Sequence, residues 1–197
     1  MSDEGKTKGF PADIFDRGMD FRTFLKRFTR NREYFLKRYN AGLLDFFRKR
    51  RGEADKLIVK LKKGPRRKLL IVAVDWCPDS YNTLGFFVKL AEHLDWETRI
   101  FEKETEPVII GHFKKDGVKE SVPVYAFYTE NFEPLFWISD RHEEGTRWKT
   151  RWLAGRDYGT LSKEERIQFL KDLNDFYDEA LFEITAMDVL ERLASSL

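Results

Sequence analysis

The sequence predicts an α/β fold, a βαβ unit followed by a ββα unit with further helices at both ends. Three observations carry that reading. Residues 69–74 (LLIVAV) are an unbroken aliphatic run, the pattern of a strand buried on both faces as in a parallel sheet. Leu84, Phe87, Val88, Ala91 and Leu94 then recur at helical spacing, with Phe86 and Leu90 widening the apolar surface. Later, VPVYAFYTE (122–130) and EPLFWISD (133–140) are two β-rich runs separated by a turn at Asn131, which predicts an antiparallel pair.

The remaining elements follow in chain order. Residues 1–10 are small, charged and unpatterned and read as a mobile tail. Phe21, Phe24, Leu25 and Phe28 predict a helix over about 20–29. Phe35, Leu36, Tyr39, Leu43, Phe46 and Phe47 predict a second helix, ending in RKRRG with Gly52 as its C-cap. Residues 54–63 (ADKLIVKLKK) fit either a short helix or a strand, and GPRR (64–67) breaks the pattern. WETRIFEK (96–103) alternates and reads as a strand; residues 107–113 read as a short helix closed by the turn KKDG. Residues 141–152 form a helix candidate. Ser162 with Glu165 makes a capping box before the run Ile167, Leu170, Leu173, Tyr177 and Leu181, and Thr185 caps a last short helix carrying Val189, Leu190 and Leu193. The expected division is a helical extension over 1–65 and an α/β domain with C-terminal helices over 66–197.

Composition narrows the function classes. With 42% hydrophobic and 36% charged residues the 197-residue chain suits a soluble globular protein, and no apolar run approaches the ~20 residues of a membrane span. The N-terminus lacks the apolar stretch of a secretory signal. A single cysteine excludes an intrachain disulfide and fits a reducing cytoplasm. One Cys with His93, His112 and His142 does not build a closed zinc site, so no metal is expected. The net charge of +2 hides an asymmetry: residues 1–68 hold 21 Lys+Arg against 9 Asp+Glu, and the rest hold 15 against 25. Mutual attraction of the two halves and ordinary solvation account for it better than a nucleic-acid partner or a membrane surface, because the N-terminal aromatics keep helical spacing as core residues do. In RWKTRWL (147–153), Trp148 and Trp152 fall on one helical face, with partner binding the lesser reading. Arg141-His142-Glu143-Glu144 lacks the second histidine of a zinc-protease motif, and no phosphate-binding glycine loop or nucleophile elbow is present.

The lone thiol lies in DWCPDS (75–80), at the junction of the aliphatic strand and the following helix. With the βαβ–ββα order, this stretch resembles the thioredoxin family, specifically the branch whose active-site segment reads WC-x-D-[S/A]. The matching positions are Trp76-Cys77-Pro78-Asp79-Ser80 and Ser121-Val122-Pro123, the latter where thioredoxins keep a cis-proline; the likeness is clearest over about 66–140. The resemblance implies a thioredoxin-like fold with N- and C-terminal helical extensions. It also implies monothiol thiol–disulfide exchange: Cys77 as nucleophile, Ser80 as its hydrogen-bond partner and Pro123 as the substrate-positioning residue. Trp76, Pro78, Asp79 and Val122 would line the substrate, with Trp76 covering the site and Asp79 tuning it.

At the first turn of a helix a sulfur meets unpaired N–H groups and the positive dipole end, which favour thiolate over the free pKa of ~8.5. Pro78 suits the first helical position. Asp75 and Asp79 work against a second negative charge, so a thiol less acidic than in dedicated oxidants is expected, and its place after a tryptophan at a turn predicts partial exposure. Ser80 replaces the resolving cysteine, so a mixed disulfide needs an outside thiol, such as glutathione, as co-substrate. Ile71 stands where the family keeps a buried carboxylate, which rules out strong dithiol reductase activity. C-x-x-S also invites comparison with the cluster-binding monothiol glutaredoxins, but Pro78-Asp79 replaces their Gly-Phe and their upstream lysine is missing, so no iron–sulfur cofactor is expected. The rival reading is a redox-inactive adaptor that uses the same fold to bind a protein or nucleic-acid partner.

Overall fold

The computed structural model describes residues 12–27, 30–115 and 117–197. Phe28, Thr29, Asp116 and the tail over 1–10 lie outside the described residues. Four helices come first, α1 (Ala12–Asp16), α2 (Phe21–Arg27), α3 (Arg32–Lys49) and α4 (Glu53–Lys63). Strand β1 (Arg67–Ala73) then leads through α5 (Pro78–His93) to β2 (Glu97–Glu102). After α6 (Pro107–Ile110) and a small hairpin, β3 (Lys114–Lys115) with β4 (Lys119–Glu120), come β5 (Val124–Thr129) and β6 (Pro134–Ser139). Helices α7 (Glu143–Leu153), α8 (Lys163–Phe176) and α9 (Phe182–Ser195) close the chain.

The aliphatic run is central because it is apolar on both sides. The main sheet has the order β2-β1-β5-β6, with β1 parallel to β2 and antiparallel to β5, and β6 antiparallel to β5. Ile71 lies opposite Ile100 on one side and Tyr125 on the other. Alternation sends Leu69, Ile71 and Ala73 into one core with α3, α4, α5, α8 and α9. Leu70, Val72 and Val74 enter a second, with Phe15, Phe101, Ile109, Ile110 and Phe113. The first core is continuous across residue 65, since Phe24, Phe35, Phe46 and Ile58 belong to it alongside the strand residues. Met19 adds an antiparallel bridge to Ile100 at the β2 edge.

Residues 54–63 are helical: Ala54, Ile58 and Leu61 bury one stripe. Gly52 does not cap α3, whose C-cap is Arg50. It instead takes φ +91° at the entry to α4, where its N–H donates to Asp55 Oδ2 at 3.3 Å. The capping box at Ser162 and Glu165 is present, and His142 caps α7 by accepting the Glu144 N–H. Thr185 caps nothing. The helix runs on from α8 into α9 through a π-turn, Tyr177–Leu181, and the Thr185 hydroxyl donates back to the Leu181 carbonyl at 2.8 Å. Trp148 and Trp152 share a face against Phe169.

The two oppositely charged halves meet directly. Arg17 pairs with Glu106, Arg27 with Glu102, Lys37 and Arg38 with Asp178, Arg50 with Glu183, Arg66 with Asp95 and Lys68 with Glu97. Most of these pairs are partly exposed, so each contributes little alone. Together they show where the charge asymmetry goes. Among the described residues, no helix is long and apolar enough to cross a membrane.

Candidate functional site

Where β1 ends, the chain turns into α5 with Cys77 as the N-cap residue in extended conformation and Pro78 at the first helical position. The loop before α3 braces this turn. Arg30 donates its N–H to Asp75 Oδ2 at 3.0 Å, and the Asn31 amide donates to the Asp75 carbonyl at 3.1 Å. Across the sheet end, Val122–Pro123 is a cis peptide, and the Cys77 thiol donates to the Val122 carbonyl at 3.5 Å. Cys77, Pro123 and Val122 therefore converge.

The sulfur is not partly exposed as expected. Cys77 is 7% exposed and packs in the cluster that also holds Ile109, Ile110, Phe113 and Val122. Burial is the largest influence on the thiol, with the Asp79 carboxylate adding to it. The amides of Asp79 and Ser80 and the Ser80 hydroxyl favour the thiolate, but too weakly to win. The thiol is pushed up to about 12. The helix N-terminus thus acts in the expected direction and is outweighed by desolvation.

Ser80 is fully buried, and among the described residues its hydroxyl makes no hydrogen bond of good geometry. It lies close enough to the sulfur to favour the thiolate as a weak donor. Trp76 is 52% exposed, and its indole N–H donates to Glu104 Oε1 at 2.9 Å, which turns it outward as a rim. Asp79 does not face solvent. It is 2% exposed and receives Arg141 Nη2 at 2.7 Å and the Tyr177 hydroxyl at 2.6 Å, while its Oδ2 lies 4.0 Å from Cys77 Sγ. Burial works against the Arg141 charge, but Asp79 beside it overrides that and holds its pKa above the ordinary value.

A model of the family described as Thioredoxin matches residues 18–152, more than half of the chain. The chain belongs to the thioredoxin family. No curated protein matches it. Among solved structures, this thioredoxin-family chain is similar to a protein of unknown function, PA1234, from Pseudomonas aeruginosa. The two are 18% identical with a TM-score of 0.57, over 91% of this chain and 99% of that one. It is also similar to an HIV epitope-scaffold, again at 18% identity, with a TM-score of 0.54 over 89% of this chain and 97% of that one. Identities this low speak for the thioredoxin-like fold alone.

Arg141 and Tyr177 are the site residues the sequence did not announce. They lie 62 and 98 residues from Asp79, and Tyr177 reads from sequence as one more position of an apolar stripe. The raised thiol has a consequence for stability. Cys77 binds its proton more tightly folded than unfolded, so its contribution is fully present below ~8.5 and is lost as pH rises toward the folded value near 12. Wild type should lose about 1.5 kcal/mol more than a Cys77→Ala variant between pH 8.5 and 10 in urea denaturation. Parallel pH profiles for the two proteins would show the thiol to be solvated.

Proposed function

We propose that this thioredoxin-family chain is a slow monothiol exchanger. The Cys77 thiolate attacks one sulfur of a disulfide, a new Cys77–S bond forms, and the other sulfur leaves as a thiolate. An outside thiolate such as glutathione then attacks the partner sulfur of that mixed disulfide and releases Cys77. The observation that carries the reading is the position of the sulfur at the N-cap of α5, 3.5 Å from the carbonyl that precedes Pro123. Pro123 and Val122 position the substrate, Trp76, Pro78 and Asp79 border it, and Ser80 lies beside the sulfur in place of a second thiol.

Slowness follows from the thiol. A pKa near 12 leaves about one molecule in 10⁵ as thiolate at pH 7, against about three in a hundred for free cysteine. The stronger nucleophilicity of a more basic thiolate recovers roughly fortyfold of that deficit. The rate at pH 7 should therefore be about a hundredfold below that of free cysteine, before access is considered. That same burial favours a second reading, a redox-silent adaptor whose cysteine is a core residue. Oxidised glutathione decides between them. Over hours at pH 8.5 the exchanger gains one adduct at Cys77 that free thiol removes, as read by intact mass. An unmodified folded protein that is modified readily in urea would establish the adaptor.

A further inference from the structure

Arg141, just beyond β6, and Tyr177, the first residue of the π-turn, reach the same carboxylate on the first turn of α5. A carboxylate there is ordinarily satisfied by the helix dipole and solvent. Asp79 is instead enclosed: Oδ1 accepts from Tyr177 at 2.6 Å and from Arg141 Nε at 3.1 Å, and Oδ2 accepts from Arg141 Nη2 at 2.7 Å and Nε at 3.2 Å. This forked contact fixes the carboxylate in orientation as well as place. Desolvating such a pair costs more than packing apolar side chains of the same size, so stability alone is a poor reason for it to be there. The π-turn supplies the second clue. Such insertions interrupt an α-helix at a cost and are frequent at functional sites, and this one begins at the residue that donates to Asp79.

We propose that Arg141 and Tyr177 are positioning residues for Cys77, clamping the Asp79 carboxylate 4.0 Å from the sulfur, where its charge adds to burial in opposing the thiolate. The proposal rests on the reading of Cys77 as a reactive thiol and names the residues that hold its reactivity down. The ionisable groups that interact with the sulfur are Asp79, with Arg141 behind it, and the phenols of Tyr81, Tyr125 and Tyr177. All three phenols are held neutral by burial. Asp79 is the carboxylate whose charge opposes the thiolate, and releasing it should raise the thiolate population.

The test is the rate of Cys77 alkylation by iodoacetamide in the full-length chain between pH 7 and 9.5, followed by intact mass. Asp79→Asn should react five- to tenfold faster than wild type at pH 8, the gain from thiolate population less the loss in nucleophilicity. Tyr177→Phe and Arg141→Lys should each raise the wild-type rate at least twofold, and a fall in either would count against the clamp. In the Asp79→Asn background, Tyr177→Phe should change it no further. A residue that only staples α5 to the C-terminal helices would alter unfolding without this dependence on Asp79. An Asp79→Asn rate within twofold of wild type overturns the proposal, as does a Tyr177→Phe effect of equal size in both backgrounds. Should Asp79→Asn fail to fold, unmoved rates in Tyr177→Phe and Arg141→Lys overturn it alone. Silent wild type with reactive Asp79→Asn removes the exchange reading and keeps the clamp; silence in both removes both.

Discussion

Replacing Arg141 by methionine should destabilise the protein by about 3–5 kcal/mol in urea denaturation at pH 7, because it strips a buried carboxylate of its charge partner. The side chains of Arg141 and Asp79 are 11% and 3% exposed, so water cannot take the place of the lost guanidinium. Tyr177 would remain as the donor to Asp79, and one neutral hydroxyl does not compensate a desolvated charge. The companion variant decides the interpretation. Removing both charges, as Asp79→Leu with Arg141→Met, should leave stability within about 1–2 kcal/mol of wild type, since no uncompensated ion is left inside. A double variant as damaged as the single would mean that packing, not charge, carries the effect. A single variant within 1 kcal/mol of wild type would mean that solvent reaches the pair.

The same residues show where sequence reasoning stops. The sheet was legible because residues 69–74 are apolar at both alternations, which demands cover on two faces and so a central parallel strand. The βαβ and ββα units followed, and the location of the lone thiol came with them. Residues 54–63 were not legible, since LIVKLKK satisfies a twofold and a helical period alike, and only the surface it packs on decides. The break expected at Thr185 failed for a related reason. A threonine caps a helix or bonds back along one with the same hydroxyl, and neighbouring elements choose between them.

Within the site, the error concerned burial. Position after a tryptophan at a turn predicts exposure of Cys77, but Phe113 and Ile110 arrive from the segment after β2 and the Val122 carbonyl from the segment before β5. None of those approaches is encoded near residue 77. Asp79 is visible in the sequence as a charge beside the sulfur, but its enclosure is not. Its partners come from two other elements, and a lone Arg after a strand carries no signal that it will turn inward.

Gly85→Ala should cost about 3 kcal/mol or more, although alanine is the better helix former by about 1 kcal/mol. Gly85 lies on α5 where α3 crosses it, and a Cβ there would sit 2.6 Å from the Phe35 carbonyl oxygen and 2.7 Å from the Tyr39 nitrogen. Both obstacles are backbone, so no rotamer change relieves them and α3 must move as a body. That movement loosens the Phe46–Phe86 contact across the two helices. It also disturbs the segment before α3, whose Arg30 N–H and Asn31 amide hold Asp75 two residues from the cysteine. The variant should therefore show two changes at once: a lower urea midpoint and faster alkylation of Cys77 at pH 8. A Gly85→Ala protein as stable as wild type would show that α3 does not approach α5 this closely, and one destabilised without any change at Cys77 would separate the α3 brace from the thiol.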